Sequence, residues 1–240
     1  MSDLFSLKGQ TAVVTGGARG IGQAMAIGLA EAGADIILIL RNESQQETKR
    51  AIEALGRKTT VYTADLSIAS QLDGLIGRIS SEHPDFSILV NVAGIQRRIA
   101  AAEFPDDMYD EVLQTNLKAT FKLCKDTGKY WLEKGTKGCI INTASLASFQ
   151  GGINMAAYAC SKGGVHMLTK ALSNEWAGKG IRVNAVAPGY IATDMNLDTR
   201  SNEDTTYYES ITTRIPAGRW GEPNEFKGVT VFLASQASSK

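Results

Sequence analysis

Thr15-Gly16-Gly17-Ala18-Arg19-Gly20-Ile21-Gly22 follows directly on the short apolar run Ala12-Val13-Val14 and opens a segment of helical period. In that segment Ile21, Ala24, Met25, Gly28, Leu29 and Ala32 recur at helical spacing, and Gly33 can end the helix. A second apolar run, Ile36 to Leu40, arrives within ~30 residues of the first, which is the span of a strand–turn–helix–strand unit. Apolar runs without alternation belong to strands buried on both faces, as in a parallel sheet covered by helices. The glycines permit a tight turn and close backbone approach. The helix start offers free N–H groups and a positive dipole end, a setting that suits a pyrophosphate. A tight turn without any ligand is the competing account.

The same rhythm continues along the chain. Val61-Tyr62-Thr63, Ile88-Leu89-Val90, Cys139-Ile140-Ile141 and Ile181 to Val186 predict the third to sixth strands. Helices fill the gaps, notably Met108 to Trp131 and Tyr158 to Trp176. The pattern predicts one α/β domain over residues 1–240, a Rossmann-like, doubly wound parallel sheet. A length of 240 residues with 43% hydrophobic content allows one sizeable core. From Tyr190 to Arg214 the chain turns polar and loses periodicity. A loop that long in a compact domain is usually functional, often a lid.

Charge and cysteine usage narrow the class. Lys plus Arg and Asp plus Glu both total 25, so no excess points to nucleic acid or an anionic membrane. No apolar run approaches the ~20 residues of a membrane helix. The start Met1-Ser2-Asp3-Leu4-Phe5 carries no secretory pattern. Cys124, Cys139 and Cys160 read as reduced, semi-buried thiols of a cytoplasmic protein, and His83 and His166 form no metal pattern.

The chemistry gathers around Tyr158 and Lys162, one helical turn apart in Tyr158-Ala159-Cys160-Ser161-Lys162. A phenol normally ionises near pH ~10 and is a poor acid or base at neutral pH. An ammonium four residues on favours the phenolate, which predicts a lowered Tyr158 pKa and useful proton transfer. Alone, the pair also occurs on solvated helices. Ser145 follows the fifth strand in Asn142-Thr143-Ala144-Ser145, where ligand sites of doubly wound sheets collect; it could equally cap the next segment. Asn116 falls inside an otherwise regular helix, where asparagine is mildly unfavourable, so it has a function or is a tolerated surface residue.

The spacing Gly-x-x-x-Gly-x-Gly resembles that of the short-chain dehydrogenase/reductase family. Asp65-Leu66, Asn91-Val92-Ala93-Gly94, Asn116, Ser145, Tyr158 to Lys162 and Pro188-Gly189 follow in the family's order, from about Leu7 to the last residue. The resemblance implies an NAD(P)-dependent oxidoreductase that moves hydride reversibly between the nucleotide and a secondary alcohol or ketone. It implies that Tyr158 exchanges the proton, Ser145 holds the substrate oxygen, and Lys162 lowers the tyrosine pKa and binds the nicotinamide ribose. Asn116 would hold a water that links Lys162 to solvent. Gly16, Gly20, Ile21 and Gly22 would cradle the pyrophosphate. Asp65 and Leu66 would meet the adenine, although Asp65 could be a helix N-cap. Asn91, Ala93 and Gly94 would line the nucleotide site, with Val92 in place of the family's second asparagine. Pro188, Gly189, Ile191 and Thr193 would meet the nicotinamide end, against the alternative of a plain Pro-Gly turn.

Rossmann enzymes that use NAD place an acid at the end of the second strand, whereas NADP enzymes offer arginine to the 2′-phosphate. Here Leu40 holds that position and Arg41 follows, with Arg19 in the glycine turn. NADP is preferred over NAD, unless both arginines are ordinary surface cations. Gly94-Ile95-Gln96-Arg97-Arg98, Ser148-Phe149-Gln150-Gly151-Gly152 and Ile215-Pro216-Ala217-Gly218-Arg219-Trp220-Gly221 resemble a narrower group of the family. That group acts on small sugar acids such as 2-deoxy-D-gluconate or 2-dehydro-3-deoxy-D-gluconate. Arg97 or Arg98 could clamp a carboxylate, and Gln96 and Gln150 could bind hydroxyls. The rival substrates are 3-oxoacyl thioesters or general carbonyls. A rival of another class is a nucleotide-binding regulatory protein without turnover. The family also implies a homotetramer and a further C-terminal edge strand, which is expected to be missing here because the chain stops at Lys240.

Overall fold

The computed structural model describes residues 3–239. Met1, Ser2 and Lys240, on which the expectations about a leader and the chain end partly rest, lie outside them. The strands are β1 (Thr11–Thr15), β2 (Asp35–Leu40), β3 (Thr59–Thr63), β4 (Ile88–Asn91), β5 (Gly138–Thr143) and β6 (Ile181–Val186). All pair in parallel, in the order β3-β2-β1-β4-β5-β6. Among the described residues no seventh strand pairs with β6. The helices are α1 (Gly20–Glu31), α2 (Glu47–Ala54), α3 (Leu75–Glu82), α4 (Asp106–Leu113), α5 (Ala119–Lys134), α6 (Ala147–Gln150), α7 (Ala156–Trp176), α8 (Leu197–Arg200), α9 (Thr206–Thr212) and α10 (Phe226–Ala234).

Unbroken apolar strands follow from two cores, one on each face. Val14, Ile36, Leu38 and Leu40 join α1 and α10 on one side. Val13, Ile37 and Ile39 join α3, α5 and α7 on the other. Successive side chains along a strand point to opposite faces, so both sets must be apolar. The chain reverses its winding between β1 and β4, and the crevice outside the carboxyl ends of the strands opens at that switch point. Among the described residues no helix is long and apolar enough to cross a membrane.

Two expected elements differ. The helix foreseen from Met108 to Trp131 is α4 and α5 joined by a π-helical turn, Gln114–Lys118, with Asn116 at its centre. The wider turn directs Asn116 inward, where it is fully buried, so it is neither in regular helix nor on the surface. The segment Tyr190 to Arg214, foreseen as aperiodic, contains a 3₁₀ turn (Asp194–Asn196), α8 and α9. A capping box between Thr193 and Asn196 starts it. Tyr208 stacked on Trp220 and the buried Ile211 hold α9 down. Of the cysteines, Cys124 and Cys139 are buried and Cys160 is exposed; all three are free thiols.

Candidate active site

A cleft runs along the carboxyl ends of the strands, lined from Gly16, Arg19, Gly20, Ile21 and Gly22 through Arg41, Asp65 and Leu66 to Ala93 and Gly94. It continues past Gln96, Arg98, Ser145, Gln150, Tyr158 and Lys162 to Pro188, Gly189, Ile191 and Thr193. Most of the expected residues therefore share one cavity. Asn91, Arg97 and Asn116 do not line it.

The glycine turn is built by backbone contact. Gly16 adopts a positive φ of 67°, and a Cβ there would lie 2.8 Å from the Ala93 backbone. A Cβ on Gly22 would lie 2.2 Å from the Gly16 carbonyl oxygen. The Thr15 hydroxyl accepts bonds from the Val92 and Ala93 N–H groups at 3.1 and 3.2 Å, tying the end of β4 to β1. No side chain caps the N-terminus of α1, so its first N–H groups face the cleft without a capping partner. This cradle fits a dinucleotide pyrophosphate. Leu40 and Arg41 lie on the rim at the end of β2. Arg19 shares that rim but is ion-paired with Asp194 at 3.0 Å, which leaves Arg41 as the freer guanidinium. Burial pushes the Asp65 carboxyl up, but two hydrogen bonds from Ser67 and the Arg41 charge outweigh it and hold the group below its ordinary value. Asp65 thus closes its own turn through Ser67 while facing the cleft.

At the other end the candidate acid–base group assembles from two elements, the turn after β5 and the start of α7. Ser145, two residues beyond β5, accepts a bond from the Ala147 N–H at 3.1 Å, so its own proton remains to be donated. Tyr158 and Lys162 project from the first turns of α7. Lys162 is 4% exposed, and its Nζ donates to the Thr143 carbonyl at 2.6 Å. Burial without a carboxylate partner pulls the lysine pKa down to about 8. The Nζ lies 5.8 Å from the Tyr158 ring centre.

Here the expectation needs correcting. Burial pushes the Tyr158 phenol above its ordinary value, and the opposing influences come from the Ser145 hydroxyl and the Arg98 charge rather than from Lys162. Proximity along one helix face does not guarantee that the ammonium governs the phenol, because Lys162 is directed at Thr143.

Three residues act behind the wall. Asn116 Oδ1 accepts from the Ile95 N–H at 2.8 Å, and Nδ2 donates to the Ile95 carbonyl at 2.9 Å and to Ser161 Oγ at 3.0 Å. It clasps the stretch after β4 to α7, next to Lys162. A Cβ on Gly94 would come within 3.1 Å of Asn116 Oδ1 and 3.6 Å of Lys162 Nζ. Asn91, expected at the nucleotide, donates to Asn142 Oδ1 on β5 at 2.9 Å and to Cys124 Sγ on α5. Arg97, one of two candidate clamps, is bound by both Glu111 carboxylate oxygens at 3.0 and 3.2 Å. Arg98 is the guanidinium left facing the cleft.

A family model described as short chain dehydrogenase matches residues 10–204. The chain belongs to the short-chain dehydrogenase family. It is 47% identical to a 2-dehydro-3-deoxy-D-gluconate 5-dehydrogenase of Pseudoalteromonas atlantica, covering 100% of this chain and 94% of that one. One from Bacillus subtilis is also 47% identical, over 99% and 92% of the two chains. The crystal structure of a gluconate 5-dehydrogenase from Burkholderia cenocepacia, in complex with NADP and tartrate, superposes with a TM-score of 0.92. It is 37% identical over 99% of this chain and 92% of that chain.

Sequence reasoning missed several residues of this dehydrogenase's cleft. Glu111, Thr115, Met155 and Tyr190 line it, and Asp194 and Asn196 form its rim. Only Asn196 had a local signal, the Thr193-x-x-Asn196 spacing of a cap. The cradle yields a direct prediction. Gly22→Ala forces a methyl into the Gly16 carbonyl, and the turn must open. Nucleotide affinity is expected to fall at least tenfold, with ~1–3 kcal/mol of stability lost to overpacking. Fluorescence titration with NADPH and thermal melting check both; an alanine variant that binds normally would contradict the cradle.

Proposed function

We propose that this dehydrogenase moves hydride reversibly between NADP(H) and a secondary alcohol or ketone of a small sugar acid, of the gluconate and 2-dehydro-3-deoxy-D-gluconate class. The observation that carries the reading is the convergence of Ser145, Tyr158, Lys162 and Arg98 on one cleft beside the glycine cradle. The names of its relatives agree with that class. Residues 1–240 are read as one NAD(P)-binding domain of a cytoplasmic homotetramer, and light scattering tests the assembly.

Gly16, Gly20, Ile21 and Gly22 would hold the pyrophosphate, with Arg41 on the 2′-phosphate and Asp65 and Leu66 beside the adenine. Ala93, Gly94, Pro188, Gly189, Ile191 and Thr193 would border the nicotinamide half. Lys162 and Tyr158 would hold its ribose. When bound, the nucleotide donates or accepts the hydride. Ser145 donates a hydrogen bond to the reacting oxygen and fixes it beside the phenol. Tyr158 gives its proton to that oxygen during ketone reduction and takes one during alcohol oxidation. Burial keeps the phenol protonated at neutral pH, which suits reduction. Asn116 positions Lys162 and the stretch after β4 through its bonds to Ile95 and Ser161.

The test is absorbance of reduced nicotinamide with a panel of keto sugar acids and uncharged ketones, each with NADPH and NADH. Sugar acids are expected to give the higher kcat/KM. Uncharged carbonyls outcompeting them would transfer the reading to a general or 3-oxoacyl reductase, and no turnover despite tight nucleotide binding would make the protein a nucleotide-binding regulator. Arg41→Asp is expected to weaken NADPH by ~10–100-fold, the worth of a charged hydrogen-bonding partner, while sparing NADH. Unchanged NADPH affinity would remove Arg41 from the 2′-phosphate.

A further inference from the structure

We infer that the Tyr207 hydroxyl is the second donor, beside the Arg98 guanidinium, of the subsite that receives the substrate's carboxylate; this rests on the sugar-acid reading above. Arg98 lines the cleft, and Nη1 donates to Tyr207 Oη at 3.0 Å. Its guanidinium carbon also lies 5.8 Å from the centre of the Tyr207 ring. Among the described residues no carboxylate lies within ion-pair distance of Arg98, whereas its neighbour Arg97 is neutralised by Glu111 at 3.0 Å. The cleft therefore presents one guanidinium whose bonding partner is a neutral hydroxyl.

That geometry has a chemical consequence. Because Tyr207 Oη accepts from Arg98, its proton is left for a third party, and a phenol has only one to give. A guanidinium and a phenol O–H held side by side can converge on one anion. Carboxylate oxygens offer about four lone-pair sites and take such donors well. A sugar hydroxyl could use the hydrogen bonds but not the charge.

Tyr207 is held from behind. Its neighbour Tyr208 stacks on the buried Trp220 at 5.5 Å, and Trp220 Nε1 donates to Thr212 Oγ1 at 3.0 Å, closing α9 against the body. Tyr190, which lines the cleft, also packs against that indole, its ring tilted and 5.4 Å away. The hydroxyl is thus carried by an anchored helix rather than by a free loop. The charge of Arg98 also reaches the Tyr158 phenol, so an anion bound at Arg98 sits within one small molecule's reach of the proton donor.

The experiment compares D-gluconate with D-glucitol, which differs at one end by a hydroxymethyl in place of the carboxylate, by calorimetric titration of the NADPH-loaded enzyme, in which neither alcohol can be oxidised. The unmutated enzyme is expected to bind gluconate more tightly. Tyr207→Phe keeps the ring and its contact with Arg98 and removes only the hydroxyl. Gluconate affinity is expected to fall about tenfold or more, as for a lost hydrogen bond to a charged group, with glucitol affinity and the melting temperature unchanged. Arg98→Ala should abolish the preference for gluconate. Equal losses for both ligands in Tyr207→Phe would reduce Tyr207 to a support for Arg98 and overturn the assignment, as would no loss for either. An unmutated enzyme that fails to distinguish the two ligands would instead overturn the sugar-acid reading, and this subsite with it.

Discussion

Replacing Tyr158 by phenylalanine is expected to lower kcat by about 10²–10⁴-fold, the usual worth of a positioned acid–base group, and to weaken nucleotide binding only by one ribose hydrogen bond, about fivefold. The hydroxyl is the only atom lost, and the ring keeps its place over Lys162. The pH dependence carries the sharper signature. Burial raises the phenol's pKa, so the protonated form persists through neutral pH. Ketone reduction, which needs that proton, should stay level through neutrality and decline only in alkaline solution. Alcohol oxidation needs the ionised form and should climb over the same alkaline range. Both limbs should vanish from the residual activity of Tyr158→Phe. Stopped-flow absorbance in both directions checks this, and limbs that survive the substitution would assign the proton to another group.

The strands were readable because burial on both faces imposes uninterrupted apolar runs. β2 is the clearest case, since alternate residues from Ile36 to Leu40 enter two different cores. The glycine turn was readable because a Cβ at Gly16 or Gly22 would collide with backbone, so composition and geometry are tied together locally. What escaped depends on partners distant in the chain. Arg97 and Arg98 are indistinguishable in sequence, yet Glu111 on α4 takes one and Tyr207 on α9 takes the other. Asn91 reads as a site residue, and only its contact with Asn142 on β5 reveals a structural clasp. The π turn at Asn116 leaves no compositional trace, because a longer hydrogen-bond loop needs no special residue. The environment of Tyr158 escaped for a related reason. Spacing placed a lysine nearby, but spacing does not report how deeply either group is buried.

Lys162→Met is expected to stabilise the fold while removing activity. Lys162 is almost fully enclosed, its pKa falls to about 8, and its hydrogen-bond partner is a neutral carbonyl. Below pH 8 the amine is protonated both in the fold and in the unfolded chain, so the folded protein carries the full cost of a buried ammonium. Between that value and the ordinary lysine value of 10.5 the folded form has released its proton and the unfolded form has not. The unfolded state then binds more protons, and stability rises with pH across that window, by an amount of roughly 3 kcal/mol. Methionine matches the length and carries no charge. It forfeits the bond to Thr143, worth about 1 kcal/mol, but escapes the larger burial cost. At pH 7 the variant should melt several degrees higher, since about 1 kcal/mol shifts a domain of this size by ~2–4 °C. Near pH 10 the gap should close, because the native lysine is by then neutral as well. Turnover should be lost at every pH, since the amine proposed to hold the nucleotide ribose beside Tyr158 is gone. Calorimetric melting of both proteins from pH 6 to pH 10 decides the matter. A variant less stable than the parent at pH 7 would mean that the ammonium is a net support of the fold, and that the lysine is retained for packing as well as for chemistry.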